Sequence, residues 1–266
     1  MTTNALLITA SGNWTVPAGV TLVKVARMVG GGAAGGCTRT SNTGGAGGAG
    51  AGEFLENVSV NVTPGEIIPV TIGAAGVPYG VNGAPNTTDN PQVGSPQNGG
   101  VTSFKYLNCQ GGFGGTSTDV VQYSSGRCAN GGGTRGGHYP INNPNGQSAV
   151  QGTAESNTHF GGASGGSLTI AFPGTVGGYC NGYRGGSIAN ELGSGGGGAS
   201  TPFGSGAAGG VGQPSAVFPG PCNASATPVG SYGAAGAGAG WYGGAGWNGA
   251  VGSTGVAGAV LLTWMS

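Results

Sequence analysis

Apolar and polar positions along this chain follow two distinct rhythms, separated by stretches with none. Residues 4–9 (NALLIT) and 20–29 (VTLVKVARMV) favour strands. In the second, Val23, Val25, Arg27 and Val29 alternate with Leu22, Lys24, Ala26 and Met28, the pattern of a half-covered β-strand. Pro17 and Gly19 mark a turn between the Trp14–Val16 segment and that strand. Glu53–Thr63 and Glu66–Ile72 read as a strand pair joined at Pro64-Gly65, and Pro69 predicts an edge or a bulge in the second. Val101–Leu107 and Val256–Trp264 complete the β set. No segment sustains a period near 3.6, so α-helix is expected to be almost absent.

The second rhythm has period three. Glycine stands at Gly240, Gly243, Gly246, Gly249, Gly252, Gly255 and Gly258, and again at Gly44, Gly47 and Gly50. Neither an α-helix nor a β-strand asks for that spacing; a polyproline-II-type helix, with three residues per turn and no internal hydrogen bonds, does. One bare face along such a helix lets a neighbouring backbone approach to hydrogen-bonding distance. Shorter glycine blocks follow at 111–115, 131–137, 161–166, 195–198 and 204–212. Between them lie polar, aromatic-bearing inserts at roughly 116–130, 138–160, 167–194 and 213–229, and residues 77–98 read as a Pro/Asn/Thr-rich loop.

The expected architecture is all-β and irregular, as one glycine-rich domain over residues 1–266. A small antiparallel β-sandwich (strands about 4–29, 53–72, 101–107 and 256–264) joins a bundle of glycine-rich polyproline-II-type helices with loop inserts (30–52 and 108–255). Composition sharpens this picture. Of 266 residues, 66 are Gly and 15 Pro, a level that by itself suggests low complexity. Yet only 5% are charged while 37% are hydrophobic, the reverse of a disordered chain. Ordering so much glycine costs about 1–2 kcal/mol per residue in backbone entropy, so a fold requires nearly all those backbones to be paired.

Charge and motifs exclude several functions. Seven basic and seven acidic residues are thinly spread, which argues against phosphate neutralisation and nucleic-acid binding. No apolar run reaches the ~18 residues of a membrane span. The opening MTTNALLITASGNW lacks the basic and apolar regions of a signal peptide, so secretion by that route is not expected. Cys37, Cys109, Cys128, Cys180 and Cys222 form no C-x-x-C pair, and with His138 and His159 they make no metal-ligand spacing. Gly162–Gly166 matches G-x-S-x-G and Gly238–Gly243 matches G-x-G-x-x-G, each without the strand–turn–helix context it needs. Glu155 and Glu191 are not brought together by any pattern that would make a glycosidase pair. A non-enzymatic protein without metal or cofactor is expected.

Binding is the remaining chemistry. Tyr123, Arg127, His138, Tyr139, His159, Tyr183 and Arg184 lie in the inserts among Asn, Ser, Thr and Gly, the composition of binding loops on a rigid scaffold. Tyr179, Phe203 and Phe218 are further aromatic residues of the same blocks and inserts. Trp241 and Trp247, with Tyr242, share a glycine-rich helix; six residues at the polyproline-II rise separate the two tryptophans by ~19 Å. They read first as cover over neighbouring backbone and second as a stacking platform.

W-T-V-P-A-G-V (14–20), the strand entering GGGAAGG (30–36), V-T-P-G-E-I-I-P-V-T-I-G (62–73), G-V-T-S-F (100–104) and G-V-A-G-A-V-L-L-T-W (255–264) resemble the glycine-rich domain of bacteriophage tail-fibre and other virion proteins. The glycine blocks separated by inserts are also similar to the polyglycine-II sandwich adhesins at the tail-fibre tips of T-even-type phages. The resemblance implies a virion protein, made in the host cytoplasm and carried on a tail or fibre. It implies that the inserts bind a host outer-membrane protein or surface polysaccharide, and that another tail or fibre protein, or further copies of the chain, are partners. Unlike those adhesins, this sequence opens directly on its sandwich strands. A purely structural virion component is the alternative. An ice-binding protein is a second, disfavoured by inserts too long for regular triplets.

Overall fold

The computed structural model describes residues 2–35, 48–78, 98–114, 228–236 and 252–266, with Gly198, Thr201, Phe203, Gly204, Gly206, Ala207 and Ala226. Over these residues the protein is all-β and contains no helix. The strands are β1 (Thr3–Ile8), β2 (Gly12–Thr15), β3 (Leu22–Val29), β4 (Phe54–Asn61), β5 (Ile67–Thr71), β6 (Thr102–Phe104), β7 (Leu107–Cys109) and β8 (Ala259–Met265). They form two antiparallel sheets, in the orders β1-β8-β3-β4 and β2-β5-β6-β7. The inner faces meet in one core. Val23, Val25, Met28, Val60, Val260 and Leu262 come from the first sheet; Trp14, Ile68, Val70, Phe104 and Cys109 come from the second. Trp14 packs at 5.9 Å from Phe104 and 5.8 Å from Trp264, tilted in both cases, and so joins the two layers. Truncating a fully buried side chain such as Phe104 removes about 3–5 kcal/mol.

Five strand expectations are corrected. The strands before and after Pro64-Gly65 do not pair with each other: β4 lies beside β3 in the first sheet and β5 between β2 and β6 in the second, so the turn crosses from one sheet to the other. Strict alternation puts Val25 and Arg27 on one face, but Met28 is buried and Arg27 exposed. The cause is a bulge: Val25 lies opposite Leu262 and Arg27 opposite Leu261, so Ala26 has no partner on β8. The facing Asn57 of β4 adopts φ 59, a left-handed conformation that asparagine tolerates. Residues 101–107 are not one strand. Lys105, at φ 54, reverses the chain between β6 and β7. Pro69 lies in an interior strand, yet the β5–β6 ladder covers only Val70 and Thr71, so the proline sits past the end of β6 and costs no ladder bond. The last strand begins at Ala259, not Val256.

Residues 256–258 belong instead to a glycine-rich extended segment. There are six such continuations of strands. β3 runs into 30–35, β5 into 73–78 and β7 into 110–114, while 48–53 leads into β4, 98–101 into β6 and 252–258 into β8. A seventh, 233–236, follows the turns at 228–233.

Segment 30–35 is surrounded by the other six. Its N–H groups donate in rotation: Gly30 to the Glu53 carbonyl, Gly31 to Gly100, Gly32 to Val256, then Ala33 back to Gly50 and Gly35 to Ser253, at 2.8–3.2 Å. Its carbonyls accept from three more neighbours, Gly31 from Gly112 N–H, Gly32 from Gly76 and Ala33 from Gly236, each at 2.9 Å. The outer six are bonded to one another in a closed circuit. Glu53 N–H donates to Gln110, Gly99 to Gly112, Gly100 to Ala74, Gly258 to Gly73, Val256 to Ala234 and Gly52 to Gly233. Around the circuit, segments leading away from the sandwich alternate with segments returning to it. In these bonds the central segment donates to neighbours running against it and accepts from neighbours running with it.

Such contact leaves no room for side chains. A Cβ on Gly31 would overlap the Ala74 carbonyl oxygen, one on Gly32 the Ala234 oxygen, and one on Gly99 the Gly31 oxygen. The clash is with backbone that is itself held by hydrogen bonds, so nothing nearby can yield cheaply. By contrast, a Cβ on Gly12 meets nothing within 4 Å. Gly31→Ala should therefore cost about 3 kcal/mol or more, and Gly12→Ala no more than ~0.5 kcal/mol, as read from urea-denaturation midpoints. Equal midpoints for the two variants would contradict a close-packed centre.

Candidate functional site

The seven segments have a near end at the sandwich and a far end away from it. Glu53, Gly73, Gln110 and Gly258 are paired at the near end; Gly35, Gly50, Phe113, Gly236 and Ser253 are paired toward the far end. Residues 35 and 48, 78 and 98, and 236 and 252 all terminate at the far end, and so does Gly114. The stretches 36–47, 79–97 and 237–251 therefore both leave and re-enter the described structure at one pole. The stretch after Gly114 also leaves there.

That pole is the candidate site, and its stems are chemically plain. Residues 33–35, 48–50, 76–78, 112–114, 235–236 and 252–254 contain no titratable side chain. Asn98 stiffens the rim by accepting Gly114 N–H at its side-chain oxygen, 2.9 Å. Tyr123, Arg127, His138, Tyr139, His159, Tyr183 and Arg184 lie outside the described residues, as do Trp241, Tyr242 and Trp247. The same holds for Tyr179 and Phe218 and for Gly240–Gly249 of the period-three run. Phe203 is described, and it is an anchor. Its ring meets Tyr232 edge-on at 5.6 Å and lies 5.9 Å beneath the Arg27 guanidinium, and both rings pack on the small cluster of Val29, Ala33, Ala49, Ala51, Phe54, Ala235 and Ala259. Beside it the glycine-rich pairing continues outward, with Gly198 N–H donating to Ala207 and Ala207 N–H to Ala235.

The bundle's solvent-facing flank carries a threefold pattern of its own. Ala74 and Val77, Asn98 and Val101, Gln110 and Phe113 are each three residues apart, and all six are exposed. In the three adjacent segments that face solvent, the outward row carries side chains while Gly73, Gly99, Gly100, Gly111 and Gly112 face neighbouring backbone. Such a row keeps further backbone from docking, as charged or bulged edges do for a β-sheet. The signal available was the spacing of non-glycine residues within each block.

No cluster of His, Cys, Asp and Glu able to hold a metal occurs among the described residues. Their charged groups lie at the sandwich and its junction: Arg27 with Glu56 at 3.2 Å, and Lys105 with Glu66 at 2.9 Å. The Lys105 ammonium, then the Thr63 N–H, hold the Glu66 carboxyl below its ordinary range. Cys109 is buried against the Met28 carbonyl, and that burial, reinforced by the negative charge of Glu53, pushes its thiol up to about 12. No family model matches the chain, and no curated protein matches it.

Two outcomes follow from these titrating groups. The Glu66 contribution is present above the carboxyl's unfolded value and is lost as pH falls through its depressed folded value. Lys105→Met should therefore lower Tm slightly at neutral pH and leave it unchanged once the carboxyl is protonated, so that the acid side of the Tm–pH curve becomes flatter. Cys109 should resist iodoacetamide at pH 8 in the native protein and react once the protein is unfolded, as followed by peptide mapping.

Proposed function

We propose that this protein is a bacteriophage virion adhesin, carried at a tail-fibre tip or elsewhere on the tail. On this reading it binds a host outer-membrane protein or surface polysaccharide through the inserts between its glycine blocks. Its glycine-rich segments form a polyglycine-II-type bundle, and the chain binds without catalysing a reaction. The observation that carries this reading is that the described ends flanking 36–47, 79–97 and 237–251, and the stem that enters the insert after Gly114, lie together at the pole opposite the sandwich.

The threefold rotation of donors along residues 30–35 supports the helix type, since three residues per turn send successive N–H groups to three different neighbours. Five of the segment pairs repeat their bonds at steps of three residues on both partners, as in Gly30 to Glu53 followed by Ala33 to Gly50. A bundle tied in all lateral directions supports loops rigidly, and loops on a rigid scaffold are where recognition residues concentrate. Tyr123, Arg127, His138, Tyr139, His159, Tyr183 and Arg184 supply the aromatic and cationic contacts, with Trp241, Tyr242 and Trp247 as a stacking platform. The bundle would serve a purely structural virion component equally well, and cell binding separates the two.

The test is adsorption of fluorescent protein to a panel of bacterial strains. Strain-selective binding is expected, and the double variant Tyr139→Ala, Tyr183→Ala should weaken it by about tenfold or more with an unchanged thermal melt. Binding to no strain would favour the structural reading. Binding that survives every insert substitution would remove the recognition role of the inserts.

A further inference from the structure

The end of the sandwich remote from the glycine segments carries a cleft of about 400 Å³. Thr3, the turn Gly19–Thr21, Leu22, Lys24, Ser59 and Thr263–Met265 line it. Thr263, Lys24 and Ser59 are direct cross-strand partners on β8, β3 and β4, so their side chains share one face of the first sheet in a row. At cross-strand spacing, the Ser59 and Thr263 Cβ atoms stand about 5 Å to either side of the Lys24 Cβ. Large apolar groups stand next to this row with much of their surface in water: Leu22 is 53% exposed and Met265 66%.

Lys24 also differs from the other described cations. Arg27 is paired with Glu56 and Lys105 with Glu66, whereas no described carboxylate faces Lys24. We propose that this cleft is a docking site for an extended segment of another protein, in which an Asp or Glu stands beside a large apolar side chain. The carboxylate meets Lys24 and one of its two flanking hydroxyls, and the apolar side chain covers Leu22 and Met265. This inference does not depend on the role of the inserts.

The chemistry selects that occupant over two others. A second copy of this chain brings no unengaged Asp or Glu side chain among its described residues. Glu56 and Glu66 are in ion pairs, and Glu53 accepts Gln110 N–H. An anionic membrane surface is gripped by clusters of basic residues, and this cleft has one. A single charge with flanking hydroxyls suits a single carboxylate, bound as a charge-assisted acceptor. A cleft of this size lies within the range of sites that hold one large side chain and its neighbours.

The test uses the full chain and capped tetrapeptides, with Asp-Phe-Leu-Asp as probe and Asn-Phe-Leu-Asn and Asp-Ser-Ser-Asp as controls. Binding is followed by NMR at the Met265 methyl and the Trp264 indole. The acidic, apolar peptide should shift both signals and bind about tenfold more tightly than either control. Lys24→Gln, a change at an exposed strand position, should remove the preference for Asp over Asn while the melt stays unchanged. Leu22→Ser should remove the preference for Phe-Leu over Ser-Ser. Equal affinity for all three peptides would overturn the proposal, as would shifts that spare Met265 and Trp264 at millimolar peptide. A dimer in sedimentation that dissociates on Lys24→Gln would also overturn it, by assigning the cleft to a second copy.

Discussion

Everything in this fold depends on satisfying the backbone of residues 30–35. An extended segment enclosed on all sides cannot reach water, and it makes no hydrogen bonds to itself. Each buried N–H or C=O left alone costs about 1–3 kcal/mol. The cost is avoided by surrounding the segment with six others whose facing positions are bare backbone. Glycine is required here for what it lacks, because a single Cβ at Gly31 or Gly32 occupies the space of a carbonyl oxygen.

That arrangement has a weakness which the sandwich offsets. Polyglycine loses more conformational entropy on ordering than any other backbone, and it has few side chains to bury. The sandwich supplies the apolar core that the segments lack and fixes where they start. Strand order β4-β3-β8 continues into neighbouring segments 48–53, 30–35 and 252–258, and β5-β6-β7 into 73–78, 98–101 and 110–114. Facing sheets pack about 10 Å apart because side chains fill the space between them. Where the side chains end, the two layers close until their backbones bond directly. Thr102 sits at this transition, fully buried, with its hydroxyl accepting Gly73 N–H at 3.0 Å. Met28 and Val29 straddle the same boundary, one in the sandwich core and the other against the alanines of the bundle.

The result is a molecule with two unlike poles. One is formed by glycine and alanine stems and is chemically plain, so its character comes from whatever the inserts bring. The other carries Lys105 with Glu66, the exposed Leu22, Ile67, Tyr106 and Met265, and the cleft beside Lys24, while Arg27, Glu53 and Glu56 lie at the junction with the bundle. Recognition at the first pole and docking at the second are separate readings. They share one mechanical premise: a bundle bonded in every lateral direction holds both poles in fixed relation.

The sequence by itself determined the strands, the absence of helix among the described residues and the presence of glycine segments, since apolar alternation and glycine spacing are local properties of the chain. It located the Pro64-Gly65 turn and the glycine runs on either side of Cys37, but not that this turn carries the chain from one sheet to the other. It could not show that Ala26 is bulged, because that depends on β8, more than 230 residues away, offering one residue fewer. Nor could it show that Val101–Leu107 folds back at Lys105, a residue that turns with its ammonium on Glu66. The row of Lys24, Thr263 and Ser59 exists only through strand register. Which glycine segment stands at the centre was likewise a tertiary decision. Among the described segments, 30–35 rather than 252–258 is enclosed on all sides, because it bonds to six neighbours, one of them 233–236, which continues no strand.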